Sequence, residues 1–306
     1  MTTGRVDIVE QGPRRPRRAG IAVLVALAAV PLLGILASRD TSRPAPAPEP
    51  TPVPEKTPVP VRDAVSVRSN AVYPAADGAG ATRTLRVTFP DGSRAELTYP
   101  AGLSLDSLGA RPYAGGRLTG DGDSGEFRSL TAPLYGEAEI AAGRPMIRRL
   151  TGGVTLWPGP LGVDGAGSVL LFAFGDWRLA LQDERAGMTF EQRLAWAENL
   201  RGTLTPDGFL TLSAGGPLRL SRPGEVRDGV LVGPQLWLGG LSRRMLVLAP
   251  VGRHDPGCGR LGRASVALDP RHAISGSACR DGFYLAASGD ESFVRSALRN
   301  VRVRAL

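Results

Sequence analysis

The sequence predicts a β-rich α+β fold, in which antiparallel sheets carry two packed amphipathic helices, set behind a single N-terminal transmembrane helix and a Pro-rich linker. Three observations predict it. Forty Gly and 26 Pro among 306 residues interrupt the backbone too often for a helical bundle or coiled coil. Short runs of alternating apolar and polar residues lie between turn signals, as strands require. Two segments repeat their apolar residues at helical spacing and carry helix-start signals.

The chain begins with a basic segment, residues 1–18, ending in Arg14, Arg15, Arg17 and Arg18. Residues 19–37 follow without a charge, and at 1.5 Å per residue they reach roughly 28 Å, about the hydrocarbon thickness of a bilayer. They are expected to form a transmembrane helix that tolerates Pro31. A cleaved signal peptide is the competing reading. The apolar run exceeds the usual signal core, and Ile35 stands where a cleavage site favours a small residue. The arginines on the N-terminal side then predict a cytoplasmic tail and an external C-terminal part at the plasma membrane.

Residues 38–62 form the linker, with eight prolines between Pro44 and Pro60 in near alternation. Each ring fixes φ and removes an amide donor, so this stretch is expected to hold a polyproline II conformation. Its seventeen residues would set the next domain about 50 Å from the bilayer.

Residues 63–306 make up the extracytoplasmic β-rich domain. Leu85, Val87 and Phe89 alternate with polar residues up to Pro90-Asp91-Gly92, and Leu97 and Tyr99 resume the alternation, which reads as a hairpin. A second Pro-Asp-Gly turn, Pro206-Asp207-Gly208, precedes Leu210 and Leu212. Continuous apolar runs at 169–174 and 245–249 read as strands buried on both faces. Thr189 and Gln192 fit a capping box, and Phe190, Leu194, Ala197 and Leu200 follow at helical spacing. The second helix, 290–300, begins with acidic residues and places Phe293, Val294, Ala297 and Leu298 on one stripe.

Two related halves, 63–202 and 203–306, are suggested by recurring strings. Leu156-Trp157-Pro158-Gly159 resembles Leu236-Trp237-Leu238-Gly239, and each half closes with a strand, a helix and an Asn-Leu-Arg or Asn-Val-Arg end. A cleft between such halves is the natural ligand site. Cys258 and Cys279 lie 21 positions apart in this outer part, where an oxidising compartment favours one disulfide between them.

No motif identifies a catalytic centre. Gly122-Asp123-Ser124-Gly125 resembles the nucleophile segment of trypsin-like serine proteases over four residues only. Glu126-Phe127 replaces the expected Gly-Pro, and both histidines follow the serine instead of preceding it. Asp121, Asp123 and Glu126 offer oxygen ligands in a turn without the EF-hand spacing. His254 and His272 sit in turns flanking or within the cystine loop, and with the acidic trio they are the weak ligand candidates. No metal site or cofactor is expected.

The net charge of +8 is spread out: residues 63–306 carry only +4, without the dense basic face that nucleic acid requires. The expected function is therefore a membrane-anchored binding, sensing or interaction domain at the cell envelope. Its partners would be the bilayer, through residues 19–37, and a wall polymer or another envelope protein. The alternative is an envelope hydrolase using cleft carboxylates such as Asp123, Glu126 or Asp164, since paired carboxylates leave no local signature.

Overall fold

Turn chemistry and alternation set the first elements. This computed structural model describes residues 70–120, 126–159, 167–183, 187–240, 244–252, 258, 261, 266–268 and 274–306, which belong to a compact unit spanning Ala64–Leu306. The tail, apolar segment and linker, residues 1–62, lie outside the described residues. Among the described residues no helix is long and apolar enough to cross a membrane.

The first hairpin is present as β2 (Thr82–Thr88) and β3 (Arg94–Pro100), with the short β1 (Ala76–Asp77) beside β2. Leu85, Val87, Leu97 and Tyr99 are buried while their alternate neighbours are more exposed, as the period-two pattern requires.

A large antiparallel sheet follows. Its strands are β4 (Ala110–Leu118), β5 (Arg128–Thr131), β6 (Arg148–Thr151), β7 (Val154–Pro158), β8 (Ser168–Phe174), β9 (Trp177–Gln182), β12 (Leu218–Leu220), β15 (Gln235–Gly239), β16 (Met245–Pro250), β17 (Ile274–Arg280) and β18 (Phe283–Gly289). The spatial order is β17-β18-β16-β15-β4-β5-β9-β8-β7-β6, with β12 paired to the end of β4. The two continuous apolar runs became β8 and β16, and every residue of β16 is buried, because that strand is covered on both sides.

Two ten-residue helices lie on one face. We number them α2 (Phe190–Asn199) and α3 (Glu291–Asn300), after a short α1 (Glu137–Ala141) that sequence periodicity does not reveal. The capping box of α2 is complete: the Gln192 amide donates to the Thr189 hydroxyl, and the Thr189 amide donates to the Gln192 side chain at 2.9 Å. Asp290 caps α3 by accepting from the Phe293 amide at 2.8 Å. The α3 stripe faces inward as expected. The α2 stripe is rotated: Phe190 is 46% exposed beneath the Arg148 guanidinium, and Trp196, at 1%, takes the central core position. The indole fits because β4 carries Gly116 opposite it, where any Cβ would lie 2.9 Å from the ring.

Each helix runs directly into a strand of a smaller sheet. From α2 the chain enters β10 (Leu200–Leu204), which pairs through the second Pro-Asp-Gly turn with β11 (Leu210–Ala214). From α3 it enters β19 (Arg302–Ala305), which pairs with β3, so the last strand returns to the first hairpin. A two-stranded ribbon, β13 (Val226–Arg227) and β14 (Val230–Leu231), precedes β15.

The helix face of the large sheet buries two apolar clusters. One joins β2, β3, β19 and α3 to β15, β16 and β18; the other joins α2, β10 and β11 to β5, β7, β8 and β9. The middle strand serves both, giving Ala110 to the first and Ala114 to the second. The opposite face is covered at its two ends. Ile140 and Ala141 of α1 pack on Trp157, Val169, Leu171 and Ala180, while Cys258 and Val266 pack with Met245, Val247 and Tyr284. The Cys258–Cys279 disulfide, with Cα atoms 6.0 Å apart, ties that second cover to β17.

Candidate functional site

On the face opposite the long helices, the described residues leave a recess over part of the centre of the sheet. The pleat decides which residues stand there. On β4, Ala110 and Ala114 point to the helices, so Arg111 and Tyr113 point the other way. Trp237 on β15 is the cross-strand partner of Arg111, and Gln235 that of Tyr113. Thr131 of β5 and Ala180 of β9 are paired neighbours that extend the floor.

A cavity of about 630 Å³ opens over this floor. Trp237 and Arg111 form one side. Glu139 and Ile140 of α1 line the cavity as well, with Ala142 and Arg144 just beyond them, and Val169, Pro158 and Gln182 are among the other lining residues. Arg144 fastens this wall, because its guanidinium donates to the Gly159 and Ile140 carbonyls and ties the α1 segment to the end of β7.

Arg111 is the unusual group. It is only 8% exposed, and its two terminal nitrogens donate to the Ala132 and Gly239 carbonyls at 2.9 Å each. Its Nε is buried without a partner, as is the Nε of Arg144. No described carboxylate stands within ion-pair distance of Arg111. Desolvation draws the guanidinium pKa below its ordinary value, and the negative charge of Glu139 opposes that shift. The Arg111 guanidinium lies 6.0 Å from the centre of the Trp237 ring, and Tyr113 stacks on Trp237 at 5.2 Å. Trp237 is oriented by its indole N–H, which donates to Gln235 at 3.0 Å. Tyr113 shares a 3.2 Å hydrogen bond with Ser129, and burial pushes its hydroxyl pKa up.

Chemically this is a positively biased, largely apolar recess with a planar aromatic wall and fixed donors. Glu139 is the sole carboxylate among its described lining residues, and its Oε2 accepts the Tyr135 amide at 3.1 Å. A second recess, about 580 Å³, is lined by Arg117, Arg219 and Arg222. There Arg219 already donates to the Gly216 and Leu218 carbonyls of its own turn.

Among the described residues, no site candidate singled out from sequence lines the Arg111 cavity. Glu126 is not at the cavity: its side chain is 50% exposed and pairs with Arg128, whose hydrogen bond holds the Glu126 carboxyl below the usual carboxylate range. Arg128 in turn reaches the fully buried Asp183, which also binds Arg193 at 2.8 Å. That cluster reads as a structural pin between β5, the end of β9 and α2. Asp121, Asp123, Asp164, His254 and His272 lie outside the described residues. Cys258 and Cys279 are joined, as the sequence suggests.

Sequence reasoning missed Arg111, Trp237, Glu139 and Arg144. The one available signal was Arg111-Pro112-Tyr113, a charge and an aromatic at strand spacing. Among the described residues no group of three His, Cys, Asp or Glu is placed to hold a metal ion. No protein-family model matches the chain, and no curated protein or solved structure is significantly similar to it.

Proposed function

We propose that this chain is a membrane-anchored binding protein of the cell envelope, whose outer domain takes its ligand in the recess at the β4–β15 pair. The observation that carries this reading is the cavity of about 630 Å³ over the β4–β15 pair, lined by a buried arginine that no described carboxylate pairs. Concave, mostly apolar recesses with a few fixed polar groups are the usual form of a ligand site. The uncharged stretch 19–37 and the prolines after it support an anchor and a standoff, with the N-terminus cytoplasmic and a wall polymer or envelope protein as partner.

We further propose that the outer domain consists of two related halves meeting at β4 and β15. Counted outward from that junction, β4, β5, β9 and β8 correspond in direction and connection to β15, β16, β18 and β17. The strand-helix-strand endings, β9-α2-β10 and β18-α3-β19, occupy matching places. The two Leu-Trp strings do not: Trp157 is on β7, near the sheet edge, and Trp237 on the central β15. The recess straddles the proposed junction.

Retention of the full-length protein, in detergent micelles, on isolated wall polymer tests the binding reading. Saturable retention that survives added salt is expected, and absence of retention removes the wall as ligand.

A further inference from the structure

We infer that the recess beside Arg111 is a seat for a single carboxylate carried on an apolar body, with Arg111 meeting the anion and the Trp237 ring lying against the apolar part. The inference rests on the binding reading and narrows it to a ligand class.

A buried ion without a counter-ion is expensive, and proteins ordinarily supply a partner. Arg128, on the neighbouring strand, has Glu126 and Asp183. Among the described residues Arg111 has backbone carbonyls alone. A guanidinium carries five N–H donors in a planar fork, and the two bonds to Ala132 and Gly239 leave one N–H on each terminal nitrogen, besides the buried Nε–H, without a described acceptor. That fork matches the two oxygens of a carboxylate.

The rest of the recess sets the remainder of the ligand. Ile140, Val169 and Ala180 give an apolar lining, and Trp237 is held in place by Gln235 and Tyr113. Glu139 already places one negative charge on the wall, so a singly charged carboxylate is favoured over a phosphate dianion.

The test uses the full-length protein in detergent micelles and follows the Trp237 indole N–H resonance, identified with Trp237→Phe. The probes are benzoate and N-acetyl-alanyl-alanine, their neutral amides, and inorganic phosphate. The carboxylates are expected to shift the Trp237 signal saturably, with each amide binding at least about tenfold more weakly. Arg111→Gln is expected to weaken the carboxylates about tenfold to a hundredfold, and Arg111→Lys by less, since it keeps the charge and loses the fork.

Amides that bind as well as the acids, an unmoved Trp237 signal, or a preference for phosphate would overturn the inference. Should Arg111→Gln fail to fold, the acid-amide comparison on the unaltered protein decides alone. Wall retention that persists in excess carboxylate sinks the inference and leaves the binding reading intact. A carboxylate-dependent Trp237 shift without wall retention upholds the inference and removes the wall polymer as the ligand.

Discussion

Two buried arginines on adjacent strands meet opposite fates. Arg128 on β5 is 2% exposed and points to the helix face, where Asp183 and Glu126 neutralise it. Arg111 on β4 is 8% exposed and points to the open face, where no described carboxylate reaches it. The same desolvation penalty is thus met internally at one site and by carbonyl dipoles at the other. A protein that needed both arginines only for its fold would be expected to pair both. The difference separates a face whose buried charge is paired from the face on which we propose that a ligand supplies the pairing.

The largest effect is expected where the helix face is given an unpaired charge as well. Asp183 accepts the Met188 amide and faces both Arg128 and Arg193, so Asp183→Ala strands the Arg193 guanidinium and a buried amide and leaves Arg128 with Glu126 alone of its two carboxylates. A loss of about 3–5 kcal/mol is expected by chemical denaturation. Next comes the cover over one end of the open face. Opening the Cys258–Cys279 bridge, by reductant or by Cys258→Ser with Cys279→Ser, removes a constraint on a 21-residue separation and is expected to lose about 3 kcal/mol. Thermal unfolding with and without reductant measures it. The Trp237 resonance should stay in place at temperatures where the protein remains folded.

How far these features were legible depended on how local their causes are. Both long helices were readable because their caps are short-range: Thr189 with Gln192, and Asp290 three residues before Phe293. Both Pro-Asp-Gly turns were readable for the same reason. The central strand was not, because β4 contains Pro112, Gly115 and Gly116, which in isolation signal a loop. Their purpose is tertiary: a Cβ on Gly115 would fall 2.3 Å from Phe127, and one on Gly116 would meet Trp196. The recess was illegible on the same grounds. Arg111 and Trp237 come from strands far apart in the chain and meet only through the β4–β15 ladder. Searching by local motif directed attention to Asp121, Asp123 and Glu126, whose spacing suggests ligands but whose described member serves an ion pair.

Smaller effects sharpen the contrast further. Arg111→Met removes an unpaired charge together with two hydrogen bonds to carbonyls, so its stability change should be only about 1–2 kcal/mol, well below that of Asp183→Ala. A loss as large as that of Asp183→Ala would show that Arg111 is structural and that the two arginines do not differ in kind.

The smallest expected effect belongs to the cap of α3, on the helix face. Hydrogen bonds from Ser292 and Phe293, together with Arg244, draw the Asp290 carboxyl down from 3.8 to about 2. A folded-state value below the unfolded one means that the contribution is complete above the unfolded value and disappears as pH falls through about 2. Asp290→Ala should therefore lose about 1 kcal/mol at neutral pH, and that difference should vanish in strong acid. Asp290→Asn should keep most of the cap and lose the pH dependence. Because α3 contacts β17 and β18 on the face away from the recess, both variants should leave the proposed carboxylate binding unchanged. A coupled loss of binding would mean that the two faces of the sheet are not mechanically independent.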